Sequence, residues 1–337
     1  MSPENRIVTI FGGSGFVGRY VARRFARAGW RVRVACRRPN EAIFVRPYGV
    51  VGQVEPVLAN ARFEESVRQV IDGADAVVNC IGILVEKGPQ RFEAVHGEAA
   101  ARIARVAAEQ GIRTLVHVSA LGANAESISA YARSKARGEQ GVLEAFPTAF
   151  IMRPSIIFGA EDQFFNRFAR MARLSPVIPL VGAGTRFQPV YVDDIASAVV
   201  SAVLDAAVPE NFPGGIYELG GPETETFREL IERMLAVIRR RRLVINVPYF
   251  AAGINARCLD ILQLLSGGLF VNHVLTEDQV RQLRVDNVVG PDARTLPDLH
   301  VSPTAMDAVL ETYLYCYRPY GQYTSLTESA KNLDSTP

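Results

Sequence analysis

The chain of 337 residues is 48% hydrophobic and 21% charged and has a formal net charge of +2 at pH 7. This is typical of a folded globular protein with room for one large domain, or for a domain and an appendage, and so small a charge argues against nucleic-acid binding. No apolar stretch reaches the ~18–20 residues that span a bilayer and no signal peptide precedes the first apolar run, so we expect a chain made in the cytosol without a membrane span.

A glycine-rich turn follows the first predicted strand. The β-branched run 7–11 leads into Gly12, Gly15 and Gly18, and then into a helical pattern over about 15–28. In a dinucleotide-binding fold these glycines permit the turn, the approach of a pyrophosphate and the close packing of helix on strand. The helix N-terminus adds unpaired N–H donors. The pattern predicts a nucleotide site that includes Ser14 and Phe16, and the alternative is a glycine-rich turn that binds nothing.

Two arginines follow the second predicted strand, which covers 32–36 after Gly29 ends the first helix. NAD-selective sites carry an acidic residue near this strand end, whereas arginine accommodates a 2′-phosphate. No acid is present here. Arg37 and Arg38 therefore favour NADP(H), because a guanidinium suits a phosphate and a carboxylate would repel it. The alternative is a solvated basic turn.

Strands and helices alternate through the first half of the chain. Further strands are predicted near 54–58, 74–80, 114–119 and 149–152, with helices over about 63–71 and 91–110. This alternation predicts an α/β fold with a Rossmann-type, doubly wound parallel sheet. The fourth strand ends in Asn79, Ile81 and Gly82, where small residues let a cofactor lie across the sheet edge.

The second half is predicted to be smaller and mostly helical. We expect helices over about 164–173 and 227–239, a strand at 216–219, and a helix to Leu204 that Asp193 or Asp194 caps. The predicted domains are an NADP(H)-binding Rossmann domain over 1–155, with further elements to about 220, and a C-terminal substrate-like or docking region over 156–320. Residues 321–337 are predicted to be a loose tail.

Ser119, Tyr131 and Lys135 are the candidate catalytic residues. Tyr131 and Lys135 are four residues apart and share a helix face, and Ser119 ends the preceding strand at the edge where ligands bind. The lysine is expected to lower the pKa of the Tyr131 phenol and so make it a general acid or base near neutral pH. Ser119 would hydrogen-bond a substrate carbonyl.

Cysteines and histidines show no metal-ligand spacing, so no metal site is predicted. The cysteines are scattered and are expected to be buried thiols. They are Cys36, Cys80, Cys258 and Cys316. His117 lies in an apolar run and is predicted to be a strand histidine with its hydrogen bonds satisfied.

These residues together resemble a short-chain dehydrogenase/reductase of the extended or atypical type. The stretches 146–149, 153–166 and 188–194 are similar to one branch, the nicotinamide-nucleotide-binding accessory subunits of respiratory complex I (NADH:ubiquinone oxidoreductase), in their bacterial form. The similarity extends from the first strand to about Tyr320, and its most specific parts are 153–166 and 188–194.

The resemblance implies a tightly held NADPH that is structural and not turned over, in a subunit on the peripheral arm near the membrane and the quinone-entry region. It places the protein on the cytoplasmic face of the inner membrane, with other complex I subunits as partners. It implies pyrophosphate contacts from the three glycines, a 2′-phosphate site at the two arginines, ribose binding by Lys135, and Pro154 with Ile156 beside the nicotinamide. Some relatives lack the tyrosine, so retained Tyr131 leaves residual or vestigial chemistry open.

A cluster of four arginines comes directly after the apolar pattern 227–238 of the predicted helix 227–239, and it precedes the apolar run 244–250. It consists of Arg239, Arg240, Arg241 and Arg242. Another apolar helix is predicted over about 254–265, ended by Gly267 and Gly268. Basic residues beside apolar ones suit anionic headgroups, at about 1 kcal/mol for each. The alternatives are a solvated charge run and a helix packed on the protein's own core.

Three functions remain open from the sequence. The favoured hypothesis is a cofactor-binding accessory subunit of complex I without independent turnover. The second is a free NADP-dependent reductase or epimerase that uses Ser119, Tyr131 and Lys135. The third is an NADP(H)-sensing regulator that binds a protein partner.

Overall fold

The computed structural model describes residues 6–205, 214–254, 256–257 and 276–323, without the side chains of residues 205 and 322. Seven parallel strands form the central sheet in the order β3-β2-β1-β4-β5-β6-β11. These strands are β1 (Ile7–Phe11), β2 (Arg31–Cys36), β3 (Val54–Leu58), β4 (Ala76–Asn79), β5 (Thr114–Val118), β6 (Phe150–Pro154) and β11 (Gly215–Leu219). The order reverses between β1 and β4, so the prediction of a doubly wound parallel sheet is confirmed.

Helices cover both faces of the sheet, which is why its central strands β4 and β5 are buried at every position. In chain order the helices are α1 (Phe16–Arg27), α2 (Glu64–Ile71), α3 (Ala99–Glu109), α4 (Ala130–Ala145), α5 (Phe165–Leu174), α6 (Val192–Asp205), α7 (Phe227–Val237), α8 (Glu277–Gln282) and α9 (Asp307–Leu314). Residues 249–254 are also helical, and a 3₁₀ segment, Pro39–Tyr48, joins β2 to β3.

Alternate strand residues divide the interior into two cores. Val8 and Ile10 belong to the core shared with α1 and α6. Leu115 and Ile151 belong to the core on the opposite face, shared with α2, α3 and α4. The carboxyl ends of β1, β4 and β5 therefore lie side by side between the two helical layers, where α/β sheets bind ligands.

The C-terminal part has a third core built on α5, α7 and α9. Short strand pairs join its segments: β7 (Ile157–Phe158) with β10 (Val190–Tyr191), β9 (Arg186–Phe187) with β12 (Glu225–Thr226), and β8 (Val177–Val181) with β13 (Leu243–Val247). Six apolar residues recur at helical spacing in the predicted helix 227–239, and all six are buried in this core: Phe227, Leu230, Ile231, Met234, Leu235 and Ile238. That helix therefore packs on the protein itself, and it does not present its apolar face to a membrane.

One local prediction is wrong. Neither Asp193 nor Asp194 caps α6, which already begins at Val192; instead Asp193 binds Arg24 and Asp194 accepts from Thr304. The predicted helix over about 91–110 is helical over 92–109, and it includes a π-helical turn, Glu93–Glu98, before α3 begins at Ala99.

Among the described residues, no helix has both the length and the apolar character needed to cross a membrane. The second predicted apolar helix, over about 254–265, lies mostly outside the described residues, as do its two glycines, the tail from residue 324 and Cys258. Of the other cysteines, Cys36 and Cys80 are partly buried and Cys316 is exposed. The expectation that they are all buried is therefore wrong for Cys316.

Candidate functional site

The glycine turn between β1 and α1 is tightly folded. Gly12 has a φ of 71°, a left-handed conformation that favours glycine, and its N–H donates to Ala35 O at 3.1 Å. At Gly18 an added Cβ would lie 2.6 Å from Gly13 Cα and even closer to the Gly12 carbonyl oxygen. The first turn of α1 therefore packs directly against the backbone of the glycine turn.

The N-terminus of α1 has no side-chain cap. Gly15 is the N-cap residue, flanked by Ser14 and Phe16, and no acidic side chain lies in the first turn. Unpaired N–H groups at such a position form an anion site. Arg19, which sequence reasoning missed, lies across this turn and donates to Ser14 O at 3.3 Å and Gly15 O at 3.2 Å. The sequence feature that could have indicated this contact is the four-residue spacing between Gly15 and Arg19, which places both on one face of the helix.

Arg37 and Arg38 follow β2 and are both exposed. The Arg38 guanidinium pairs with Glu41 at 2.9 Å, and 76% and 69% of the two side chains is accessible to solvent. So exposed an ion pair contributes little to stability. A phosphate can therefore compete for this guanidinium at little cost.

The loop after β4 lies against the glycine turn. β1 and β4 pair in register up to Phe11 and Asn79, and an added Cβ on Gly12 would come within 3.1 Å of the Cys80 backbone. Asn79 Oδ1 accepts from Ile81 N at 3.1 Å. Gly82 lies over the site lysine, since an added Cβ there would be 3.7 Å from Lys135 Nζ. The structure thus brings together the glycine turn, the β4 loop and Lys135.

The carboxyl end of β5 meets α4 at the candidate catalytic residues. The buried Lys135 Nζ donates to Val118 O at 3.3 Å and lies 6.0 Å from the centre of the Tyr131 ring. Ser119 Oγ is buried and has no hydrogen-bond partner in the described part of the chain. An unpaired buried hydroxyl carries a desolvation cost, and a ligand at this strand end would remove that cost.

The pKa values of this site differ from the sequence-based expectation. Burial, and secondarily the negative charge of Asp278, raise the pKa of Tyr131 to about 12. Burial lowers the pKa of Lys135 to about 8. The prediction that Lys135 lowers the pKa of the Tyr131 phenol is therefore wrong here, because desolvation dominates and disfavours both charged forms.

Pro154 is the last residue of β6, and Ile156 follows two residues later at the same sheet edge. Ser119 N donates to Met152 O at 2.7 Å, and Leu121 N donates to Pro154 O at 2.9 Å. The segment after β5 therefore runs beside Pro154, while the half-buried Ile156 packs on the C-terminal core.

Two histidines also line this edge. His117 Nδ1 is 3.0 Å from Asn79 Nδ2, but its buried Nε2 has no partner among the described residues, so the prediction of a fully satisfied histidine is wrong. His96 packs edge-on against the Tyr131 ring, with centroids 5.3 Å apart. Sequence reasoning missed His96, because a histidine within a helical pattern carries no local signal of function.

Comparison with known proteins gives the family. The NAD dependent epimerase/dehydratase family matches residues 8–220. The mitochondrial NADH dehydrogenase [ubiquinone] 1 alpha subcomplex subunit 9 of Arabidopsis thaliana is 34% identical over 96% of this chain and 81% of its own length. The chain belongs to the epimerase/dehydratase family, in the complex I subunit 9 branch.

One further relative and one solved structure are also similar to this chain. A ceramide reductase of Caulobacter vibrioides is 32% identical, over 58% of this chain and 60% of its own length. The Thermus thermophilus UDP-glucose 4-epimerase, solved in complex with NAD, has a TM-score of 0.58 at 20% identity and covers 82% of this chain and 96% of its own. At that identity the epimerase structure supports the fold alone.

The geometry of the candidate site fits a dinucleotide. The uncapped α1 N-terminus and the glycine approach suit a pyrophosphate. The unpaired Ser119 Oγ and the buried Lys135 suit the nicotinamide end. Exposed guanidiniums stand at the β2 end, where a ribose 2′-substituent lies in this fold.

The four-arginine cluster lies between α7 and β13 and divides into two pairs. Arg240 Nε donates to Tyr317 O at 2.8 Å, and Arg242 Nε donates to Ala172 O at 2.6 Å. Arg239 and Arg241 are exposed. Two of the four guanidiniums therefore hold the C-terminal core together, and they are not simply displayed to a partner.

Proposed function

We propose that this chain is an accessory subunit of respiratory complex I that holds NADPH as a structural ligand. The observation that carries the proposal is the 34% identity to the plant mitochondrial subunit over 96% of this chain. Similarity that extends through the C-terminal part includes the region outside the dinucleotide-binding fold. Because one fold serves many functions, sequence similarity through this region supports the subunit role more than a shared fold does.

The choice of NADPH rests on the end of β2. Arg37 and Arg38 stand where NAD-selective proteins place a carboxylate, and both are exposed. Pyrophosphate contacts come from the glycine turn, and the nicotinamide half contacts the edge formed by β4, β5 and β6. The proposed cofactor residues are Gly12, Ser14, Gly15, Phe16, Gly18, Arg37, Arg38, Asn79, Ile81, Gly82, Ser119, Tyr131, Lys135, Pro154 and Ile156.

A structural role for the nucleotide agrees with the chemistry of Tyr131. With a pKa raised to about 12, the phenol stays protonated near neutral pH and is a weak general acid there. A protonated phenol still donates a hydrogen bond to a bound ribose or amide. A phenol in this state is compatible with holding a nucleotide.

Docking belongs to the region 156–320, beyond the dinucleotide-binding domain 1–155. We place it on the peripheral arm near the membrane and quinone-entry region, on the cytoplasmic face. Exposed Arg239 and Arg241 adjoin exposed Leu243 and Ile245 of β13, and basic residues beside apolar ones suit anionic headgroups. Arg240 and Arg242 would contribute through their remaining N–H groups.

A native pull-down from gently solubilised membranes tests this function. The tagged chain should recover subunits of complex I by mass spectrometry and should carry NADPH through gel filtration. Recovery of the chain free of complex I subunits would overturn the proposed assembly. A purified chain without any nicotinamide nucleotide would overturn the structural role of the ligand.

A second candidate is an NADPH-dependent reductase of a lipid ketone. The similarity to a ceramide reductase and the unpaired Ser119 Oγ favour it. When bound, NADPH supplies a hydride; Ser119 would hold the substrate carbonyl, and Tyr131 would donate the proton. NADPH oxidation by a long-chain ketone, abolished in Tyr131→Phe, would favour this candidate, whereas intact complex assembly with no turnover would exclude it.

A further inference from the structure

His96 connects three parts of the candidate site. Its Nε2 accepts a hydrogen bond from Ile83 N at 3.0 Å, its Nδ1 lies 3.0 Å from Ser134 Oγ, and its ring packs against Tyr131. The side chain is buried, with a relative exposure of 1%. A buried imidazole with both nitrogens engaged has a fixed orientation.

The hydrogen bonds of His96 define one tautomer. Because Nε2 accepts from a backbone N–H, the proton of the neutral ring is assigned to Nδ1. Nδ1–H then donates to Ser134 Oγ, and the Ser134 hydroxyl donates to Tyr131 O at 2.8 Å. Burial, with the nearby Lys135 and His117, lowers the pKa of His96 to about 2. The ring therefore stays neutral at any physiological pH and remains an acceptor at Nε2.

The loop that His96 holds forms one wall of the site. Residues 80–83 follow β4, and two side-chain acceptors fix their backbone: Asn79 at Ile81 N and His96 at Ile83 N. Gly82, between the two fixed residues, lies over Lys135 Nζ. Displacement of this loop would change the space above Lys135.

Aromatic packing fixes the other side. His96 stacks on Phe92, with centroids 5.5 Å apart and planes 17° apart, and both rings contact Tyr131 edge-on, at 5.3 and 5.7 Å. Offset and edge-on pairs of this kind are each favourable beyond their buried area. The π-helical turn that carries His96 packs closely on α4 at Gly138, where an added Cβ would collide with His96 O. π-Helical turns often occur at functional sites.

We propose that His96 is a positioning residue of the nucleotide site, which fixes both the β4 loop above Lys135 and the ring of Tyr131. The proposal rests on the proposed nucleotide-binding function. His96 acts through these neighbours without itself touching the ligand. A nucleotide that binds between the loop and Tyr131 then meets a preformed wall, which reduces the ordering cost of binding.

Three variants separate positioning from simple stability. His96→Phe keeps an aromatic ring and loses both hydrogen bonds. His96→Gln restores a neutral acceptor near the position of Nε2. Val95→Ala truncates a buried side chain of the same π-helical turn and keeps both hydrogen-bonding nitrogens of His96. It serves as the matched control for lost stability.

The first measurement is hydrogen exchange of the Ile83 amide in nucleotide-free protein. We expect exchange about fivefold faster in His96→Phe, the size of one net hydrogen bond, with near-normal rates in His96→Gln and Val95→Ala. Unchanged protection in His96→Phe overturns the proposal. This measurement is independent of any ligand.

The second measurement is the dissociation constant for NADPH. We expect the dissociation constant to rise about fivefold in His96→Phe and to lie between that value and the wild-type value in His96→Gln. It should not change in Val95→Ala at temperatures well below the melting temperature of that variant. Equal weakening in His96→Phe and Val95→Ala overturns the positioning role. Wild-type protein that binds no nicotinamide nucleotide overturns the proposed function instead, and the exchange measurement still decides whether His96 holds the loop.

Discussion

Asp278 binds the N-terminus of α4, the helix that carries Tyr131, beside the N-cap residue Ser129. Its Oδ1 accepts from Ala130 N at 2.7 Å, and its Oδ2 accepts from Tyr131 N at 3.3 Å and from Ser129 Oγ at 2.8 Å. The carboxylate comes from α8, 148 residues later in the chain. A negative charge at a helix N-terminus is stabilising, so the C-terminal region directly supports the candidate catalytic helix.

We expect Asp278→Asn to lower the free energy of unfolding by about 1 kcal/mol, because the side chain loses its charge and one acceptor oxygen. The pKa of Tyr131 should fall at the same time, since the Asp278 charge helps to raise it. Chemical denaturation measures the first effect. The second effect is measured by spectroscopic titration of the phenolates. The curve of a protein that carries Tyr131→Phe is subtracted from that of the same protein with Tyr131, and the difference is the titration of Tyr131.

Glu311→Gln is a suitable control, because Glu311 is an exposed acid that pairs with Arg318 and caps no helix N-terminus near the site. Its effect should stay within about 0.5 kcal/mol. Equal stabilities of Asp278→Asn and wild type would show that this contact contributes nothing.

Lys135 should make stability depend on pH. Its pKa is about 8 in the folded chain against an ordinary 10.5, so between these values the unfolded state binds the extra proton and stability rises with pH. The gain is complete above pH 10.5 and absent below pH 8, and it amounts to about 3 kcal/mol. Denaturation curves at pH 7.5 and pH 10 measure this rise in the free energy of unfolding. Lys135→Met should abolish the part of the rise that comes from Lys135.

The exposed Lys87 provides the comparison, since Lys87→Met should leave the pH profile as it is in wild type. A Lys135→Met profile parallel to that of wild type would contradict a buried lysine with a lowered pKa.

Arg37→Glu together with Arg38→Glu should weaken NADPH binding at least about tenfold while changing NADH binding less than about twofold. Two charge-assisted contacts to the 2′-phosphate are lost, whereas NADH has no such phosphate. Fluorescence titration with both nucleotides measures the ratio. The control is Arg31→Glu, because Arg31 is exposed at the opposite end of β2; this variant should bind both nucleotides as wild type does. Equal losses of NADPH and NADH affinity in the double variant would refute the 2′-phosphate assignment.

Gly18→Ala should destabilise the fold by about 1–3 kcal/mol, the usual range for overpacking. The added methyl group meets the backbone of Gly12 and Gly13, which has no rotamer with which to yield. NADPH affinity should fall too, because the glycine turn must move. The control is Gly184→Ala, because an added Cβ there meets nothing within 4 Å; it should change neither the free energy of unfolding nor the NADPH affinity. A Gly18→Ala variant as stable as wild type would mean that the turn is not tightly packed.

Features that depend only on neighbouring residues could be predicted from the sequence. The β-branched runs predicted β1, β2 and β3 to within a residue, because alternation and turn chemistry act over a few positions. The glycine spacing placed the turn before α1 for the same reason. Order along the chain then led to the doubly wound sheet, since short connections between parallel strands leave few arrangements.

Contacts between distant segments could not be predicted from local sequence patterns and were found only in the folded chain. Three contacts are examples: Asp278 with Ser129, His96 with Ile83, and Arg240 with Tyr317 O. The two residues of each pair are 13 to 149 residues apart, so no local pattern predicts that they meet. The same holds for pKa values: spacing placed Lys135 near Tyr131, but burial set the direction of both shifts. Desolvation depends on everything packed around a group, and the sequence does not state what that is.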